Sequence, residues 1–176
     1  ASNGRKEVKD VISVKNICEY VEHIHAVKGL SIHETKLKVG IDSGQHFLKI
    51  CLALVCPTDS EDENQAPQNS VRDVLILSIA HEVKEDYESV KILWEACNLN
   101  DISFLLSSDY NMSNIAFGLQ SHASTRPCHA CNALKPREKG VDWEQGELRT
   151  IGSLKRDCSG YRNAGCVPKN AALFNN

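Results

Sequence analysis

Residues 37–55 read LKVGIDSGQHFLKICLALV, two apolar segments joined by a short polar one. The first segment alternates apolar with small or polar residues, as a half-buried strand does. The second is a run of apolar residues that are compatible with a β-strand. The polar residues DSGQ, at positions 42–45, are typical of turns. We therefore predict two strands joined as a hairpin, with the turn at DSGQ.

The segments on either side of this hairpin indicate an α/β fold. Apolar spacing predicts an amphipathic helix before the hairpin and, after it, a strand, a helix, a short strand and a further helix. The predicted ranges are 5–29 for the first helix and then 74–79, 87–99, 102–106 and 111–120. Three opening strands followed by a helix and a returning strand resemble the order of the ribonuclease H (RNase H) fold. We expect a mixed sheet with a three-stranded antiparallel start.

Composition and charge limit the class of protein. The chain has 176 residues, of which 41% are hydrophobic and 24% charged, as in ordinary soluble globular proteins. It contains no apolar run of the roughly 20 residues that span a bilayer and no apolar signal core at its start, so we expect neither a membrane nor a secreted protein. Residues 1–125 carry 11 Lys and Arg against 18 Asp and Glu, a net charge of −7, whereas residues 126–176 carry 9 against 5, a net of +4. The basic C-terminal part favours an anionic partner.

The cysteines fall into two groups of different character. Of the eight, four lie in apolar stretches and four in the basic last third of the chain. In the second group, Cys128 and Cys131 form a Cys-x-x-Cys pair, which can hold one Zn²⁺ through two thiolates. Cys158 and Cys166 are the downstream candidates for the remaining positions, and His122 and His129 are weaker ones. A redox pair is the alternative, but the strand-to-helix setting of a thioredoxin-like motif is missing.

Two acidic residues follow predicted strands. Asp42 follows the first strand of the hairpin, and Asp109 follows the strand predicted at 102–106. Carboxylates beyond strand ends can converge at one edge of an open sheet, where Mg²⁺ (or Mn²⁺) would take their oxygens and recruit substrate phosphates. The alternative is structural, because Asp is also common in hairpin turns and as a helix cap.

Three stretches resemble the DDE-type, RNase H-fold transposases of eukaryotic cut-and-paste elements and proteins derived from them. They are KVGIDSGQHFLKI at 38–50, SSDYNMSNIAFGLQSHASTRPCHAC at 107–131 and, more weakly, GELRTIGSL at 146–154. The resemblance spans roughly residues 36–154 and implies that Asp42 and Asp109 are the first two catalytic acids. It also implies that Cys128 and Cys131 begin an inserted zinc-binding region.

The family's third acid, usually a Glu on a later helix, has no counterpart that the pattern identifies. Glu144 and Glu147 lie in an irregular segment, and Asp157 adjoins Cys158 with no evident helix. Either the third acid lies beyond Asn176, in a longer protein of which this chain is a piece, or this copy has lost catalysis.

The leading hypothesis is a fragment of a transposase-like DNA nuclease or strand-transferase that uses two Mg²⁺ ions and resides in the nucleus or cytoplasm. We expect an N-terminal helix at 1–30, an RNase H-like core at 31–125 and a basic, Cys-rich zinc-binding insertion at 126–176. DNA phosphates would be bound by Arg137, Lys139, Arg149, Lys155 and Arg156, and self-association is a further expectation. The alternative is a domesticated, non-catalytic zinc-containing module that binds nucleic acid or protein. A third possibility is a plain α/β scaffold without zinc.

Overall fold

The computed structural model describes residues 10–55, 74–120, 123–136, 142, 146–160 and 173, with the backbone alone for 157–160. It divides into two compact units, the first formed by residues 1–85 and 92–108 and the second by residues 86–91 and 109–176. The elements, in chain order, are β1 (Val11–Ser13), α1 (Ile17–Lys28), β2 (Lys36–Gly44), β3 (Phe47–Val55), β4 (Leu75–His81), α2 (Tyr87–Ala96), a 3₁₀ turn (Leu99–Asp101), β5 (Leu105–Leu106), α3 (Tyr110–Ala116) and α4 (Ile151–Gly160).

The first unit contains a mixed five-stranded sheet in the order β1-β4-β3-β2-β5. Strands β2, β3 and β4 are antiparallel neighbours, and β1 pairs antiparallel with β4 at one edge. Strand β5 returns after α2 and lies parallel to β2, pairing Lys38 with Leu105 and Val39 with Leu106. The predicted mixed α/β architecture, with its antiparallel start and returning strand, is confirmed.

The hairpin of β2 and β3 is longer than the sequence predicted. Strand β3 has the predicted bounds, but β2 continues to Gly44, and the turn consists of Gln45 and His46 alone. Both turn residues have positive φ, 52° and 69°, as a type I′ hairpin turn requires. The placement of Asp42 in the turn is therefore wrong. The alternation of the strand continues through it, with Ile41 buried and Asp42 exposed.

At the N-terminal end, the structure replaces the first part of the predicted helix with a strand. Residues 11–13 form β1, and α1 begins only after Asn16, whose side chain accepts a hydrogen bond from the backbone N–H of Glu19 at 3.2 Å. Such a cap fixes the start of a helix. The predicted end is confirmed, because Gly29 adopts a left-handed φ of 64° and closes α1. The part of the prediction at residues 5–9 lies outside the described residues.

The last helix, α4, lies where the sequence predicted irregular structure. Thr150 and Ser153 cap it reciprocally: the Thr150 N–H donates to Ser153 Oγ at 2.9 Å, and the Ser153 N–H donates to Thr150 Oγ1 at 3.0 Å. Asp157 and Cys158 lie on this helix, so the expectation that neither is helical is wrong. The predicted helices at 87–99 and 111–120 are present but end earlier, at Ala96 and Ala116.

Each unit has its own apolar core. In the first, every second residue of β3 is buried on one face of the sheet, and these residues are Leu48, Ile50, Leu52 and Leu54. In the second, the buried apolar residues include Met112, Ala116, Leu119, Ala133 and Leu154. Among the described residues, no helix is both long enough and apolar enough to cross a membrane.

Candidate functional site

Asp42 lies on the exposed face of β2, directly opposite Lys49 of β3. The Lys49 Nζ lies 2.9 Å from Asp42 Oδ2, and the Asp42 side chain is 64% exposed. The hydrogen bond to the Asp42 carboxylate raises the pKa of Lys49 above its usual 10.5, although desolvation opposes the shift. The ammonium is therefore charged at neutral pH. The carboxylate is open to solvent and has a cation as its neighbour.

Asp109 is the N-cap residue of α3, in the second unit. Its Oδ1 accepts a hydrogen bond from the backbone N–H of Met112 at 2.8 Å. The capping role that the sequence allowed as an alternative is thus present. Capping occupies one oxygen of an exposed side chain, so a further ligand of the carboxylate is compatible with it.

Cys128 and Cys131 lie next to each other in the second unit, in a loop whose backbone donors point at sulfur. The pKa of Cys131 is lowered, first because the Ala133 N–H donates to its sulfur. The Cys128 thiol and the Gly146 N–H also donate to it, and the positive charge of Arg149 acts in the same direction, whereas desolvation opposes them. Donors of this kind stabilise the thiolate, which is the form that binds metal.

A second segment, residues 146–149, fixes this cysteine loop from the side. The Asn132 N–H donates to Glu147 O at 2.9 Å, and the Arg149 N–H donates to Ala130 O at 2.8 Å. A Cβ on Gly146 would lie 2.2 Å from the Ala133 nitrogen, so only glycine permits this approach. The loop and the second segment together form a hydrogen-bonded structure around the thiols, which we call the cysteine knuckle (residues 128–133 and 146–149).

The side chain of Arg149 is part of the cysteine knuckle. Its Nε donates to the carbonyl oxygens of Cys128 and Cys131, both at 3.0 Å. These two bonds hold the carbonyls at the two ends of the Cys-x-x-Cys sequence in fixed positions. Arg149 was predicted to contact DNA phosphate. The observed bonds give it a structural role, whatever its other guanidinium nitrogens bind.

An aromatic group from α3 and its C-terminal end lies beside the knuckle. The His129 ring stacks on Phe117 with centroids 6.0 Å apart and contacts the Tyr110 ring at 5.2 Å. Burial raises the pKa of Tyr110, and the negative charges of Cys128 and Cys131 raise it further. Asn114, which is fully buried, donates through Nδ2 to Pro127 O at 2.9 Å and so ties α3 to the start of the loop.

The donor set fits one half of a structural zinc site. Zn²⁺ takes four ligands in tetrahedral geometry, and paired thiolates with backbone N–H donors suit two of the four positions. No group of three or more potential metal ligands is present among the residues that the structure describes. The side chains of the predicted partners Cys158 and Cys166 are not among those that the structure describes.

Of the four remaining residues that were predicted to contact DNA, the structure describes two. Lys155 and Arg156 are exposed on α4, and Arg137 and Lys139 lie outside the described residues.

Sequence reasoning missed the residues that support the predicted ones. Lys49 could have been found from the hairpin register, had the turn been placed at Gln45 and His46. Gly146 stands in the GELRTIGSL stretch, but its role depends on a contact with residues 132–133 that local patterns do not reveal. No protein-family model and no curated protein sequence matches this chain.

Proposed function

We propose that this chain carries the first two acids, without the third, of the RNase H-like core of a transposase-like enzyme that cleaves or joins DNA phosphodiesters with two Mg²⁺ ions. The observation that carries the proposal is the strand order of the first unit. Three antiparallel strands, β2, β3 and β4, are followed by α2 and by β5, which lies parallel beside β2. This order and these directions are those of the first four strands of an RNase H-like sheet.

The positions of the two acids along the chain support the proposal. Asp42 comes three residues after Val39, and Asp109 comes three residues after Leu106, which is the partner of Val39. The offset between the paired residues is 106 − 39 = 67, and the offset between the two acids is 109 − 42 = 67. The two acids therefore follow their paired residues at the same separation in sequence, Asp42 within β2 and Asp109 at the N-cap of α3.

In this proposal Asp42 and Asp109 would each offer carboxylate oxygens to a divalent cation, which would supply Lewis-acid activation of the phosphodiester. Their present partners are compatible with that role. An exposed ion pair such as Asp42–Lys49 contributes about 0.2–1 kcal/mol, and a helix cap such as Asp109 about 1 kcal/mol. Neither is strong enough to exclude a hard dication from the carboxylates.

The cysteine knuckle has a structural role in the same proposal. Cys128 and Cys131 would supply two thiolate ligands of a zinc ion, with Cys158 and Cys166 as the candidates to complete it. Lys155 and Arg156 on α4 would contact DNA phosphates and make binding dependent on salt concentration.

The experiment that tests the catalytic role assays a labelled DNA duplex, in the presence of Mg²⁺ or Mn²⁺, with a protein in which this chain is accompanied by the third acid. We expect divalent-dependent cleavage that Asp42→Asn and Asp109→Asn each reduce at least about 100-fold, because a carboxylate and its charge are lost. Asp109→Asn retains the cap, since Asn caps helices as well as Asp does. Asp101→Asn, at an exposed acid of the 3₁₀ turn, is the matched control. Cleavage that survives both active-site substitutions would refute the proposal.

The second candidate is a non-catalytic zinc-containing module that binds nucleic acid or protein. It is favoured by one observation, that both carboxylates already serve the fold, one as an ion-pair partner and one as a helix cap. This candidate predicts zinc in the purified chain, no divalent-dependent cleavage, and binding that is unchanged by Asp42→Asn. Elemental analysis for zinc separates both candidates from a scaffold that binds no metal.

A further inference from the structure

We propose that Lys49 positions the DNA substrate: its ammonium rests on Asp42 while no divalent cation is bound and transfers to a substrate phosphate when a cation takes the carboxylate. This inference rests on the proposed function, because it requires Asp42 to be a metal ligand. It assigns a role to a residue of the stretch 38–50 to which the sequence analysis gave none.

The first step of the argument is the register of the hairpin. Asp42 and Lys49 are paired residues of adjacent antiparallel strands, so their side chains leave the same face of the sheet at neighbouring points. The contact of 2.9 Å between Nζ and Oδ2 places a cation beside the proposed metal ligand. Any phosphate that a metal ion at Asp42 recruits would come within reach of this lysine.

The second step concerns the competition for the carboxylate. Both side chains are accessible, Lys49 at 28% and Asp42 at 64%, so water and salt weaken their attraction. A divalent cation has twice the charge of an ammonium and coordinates the oxygens directly. The cation therefore displaces Lys49, and repulsion between the two positive charges drives the ammonium away from the carboxylate.

The third step is the destination of the released ammonium. A lysine carries its charge on a flexible four-carbon chain with three donors, which suits it to bind phosphate as a point charge. On β3 and β4 the positions next to it on the same face are Phe47, Cys51 and Ile79, which offer no charge at neutral pH. The anionic oxygen of a phosphate is then the favourable partner. Lys49 remains charged throughout, so the exchange requires no change of protonation.

The test measures the affinity of the full chain for a DNA duplex by fluorescence anisotropy across a series of salt concentrations. It is performed once with Ca²⁺ and once with EDTA, on the wild type and on Lys49→Met. In Ca²⁺ we expect Lys49→Met to reduce the slope of log affinity against log salt by about one, the loss of one phosphate contact. In EDTA the two slopes are expected to agree, because Lys49 is then held on Asp42.

Two further variants and one further measurement exclude a merely structural effect. Lys49→Arg, which keeps the charge, is expected to restore the slope in Ca²⁺. Lys38→Met loses a charge from the same face of β2 and serves as the matched control. For this variant we expect the salt slopes in Ca²⁺ and in EDTA to differ no more than those of the wild type do. In the absence of DNA, Lys49→Met is expected to bind Mn²⁺ about two- to fivefold more tightly, because a competing surface ion pair is lost.

The outcomes separate this inference from the proposed function. The role of Lys49 is overturned if wild type and Lys49→Met have equal slopes in Ca²⁺, or if Lys49→Met reduces the slope in EDTA as much as in Ca²⁺. This holds even if Asp42→Asn abolishes Mn²⁺ binding and cleavage. If Asp42→Asn changes neither, the metal site itself is refuted and the inference fails with it.

Discussion

Substituting Gly146 by alanine tests the cysteine knuckle most directly. The added Cβ would lie 2.2 Å from the Ala133 nitrogen and 2.7 Å from the Ala133 Cα, and neither of these backbone atoms can move as a side chain can. An ordinary contact begins at 3.4 Å, so the segment at 146–149 must withdraw by about 1.2 Å. Two backbone hydrogen bonds would then lengthen beyond the hydrogen-bond limit. They are the bond from Asn132 N–H to Glu147 O, now 2.9 Å, and the bond from Arg149 N–H to Ala130 O, now 2.8 Å.

The cost follows from the bonds that are lost. Two backbone hydrogen bonds at about 0.5–1.5 kcal/mol each and one N–H bond to a thiolate at about 1.5–3 kcal/mol amount to roughly 2.5–6 kcal/mol. If the knuckle binds metal, its affinity is expected to fall at least about 50-fold, since each 1.4 kcal/mol is a factor of ten. A Co²⁺ titration followed by absorbance, with a competing chelator, measures this fall.

Backbone amide exchange at Asn132 and Arg149 gives a readout that does not depend on metal. Exchange is expected to accelerate by a similar factor in Gly146→Ala, because the same bonds protect these amides. Gly152→Ala is the control: its Cβ would have only Thr150 Oγ1 nearby, at 3.8 Å, and alanine favours the helix. Unchanged exchange and unchanged Co²⁺ affinity in Gly146→Ala would show that the contact with Ala133 does not hold the knuckle together.

Two further predictions concern single residues of the described fold. Burial raises the pKa of Cys97 from its ordinary 9.0 to about 11, so the folded state holds the thiol proton more tightly than the unfolded chain does. The resulting stability is complete below pH 9 and is lost as the pH rises toward 11. We expect denaturant titrations of the wild type to show a loss of about 2 kcal/mol of unfolding free energy by pH 10.5, and we expect Cys97→Ala to lack this loss. Equal losses in the two proteins would contradict the prediction. Thr150→Ala removes one half of the reciprocal cap of α4 and is expected to cost about 1 kcal/mol of unfolding free energy, whereas Thr150→Ser retains it. If the two Thr150 variants are equally stable, the cap does not stabilise the helix.

The hairpin shows how far local patterns determine this fold. The run of apolar residues from Phe47 to Val55 predicted β3 to the residue, and Leu48, Ile50 and Leu52 of that run are buried in the core. The position of the turn was not determined locally, since every residue from Asp42 to His46 is compatible with a turn. It follows from the register, which is fixed by burying apolar residues of both strands on the same face.

Because the turn was predicted at residues 42–45, the pairing of Asp42 with Lys49 was missed. In the observed hairpin Gly44 pairs with Phe47, so the numbers of paired residues sum to 91, and 42 + 49 = 91 places Lys49 opposite Asp42. A turn at 42–45 removes Asp42 from the pairing altogether. The ion pair was therefore within reach of the sequence, once the shortest turn compatible with the core had been chosen.

The other errors have a different physical origin. Strand β1 has three residues and exists because it pairs with Ser78, Ile79 and Ala80 of β4, a contact distant in sequence. Without that contact, the β-branched residues Val11 and Ile12 of β1 also fit the apolar spacing of an amphipathic helix. Helix α4 has few apolar residues to give a period, but its Thr150-x-x-Ser153 cap was readable as a start signal.

The partners that the two acids already have bear on the choice between a catalytic and a non-catalytic protein. An acid that evolved to hold Mg²⁺ is an exposed negative charge whenever the metal is absent, and a nearby cation or backbone N–H lowers the cost of that state. Lys49 and the N-terminus of α3 supply these two kinds of partner, one to each acid. The ion pair and the cap, although they are the observation that favours the non-catalytic candidate, are therefore compatible with a catalytic protein as well. Asp109→Asn separates the two hypotheses, because it keeps the cap and removes the charge: stability is retained in either case, but only a catalytic protein loses divalent-dependent cleavage.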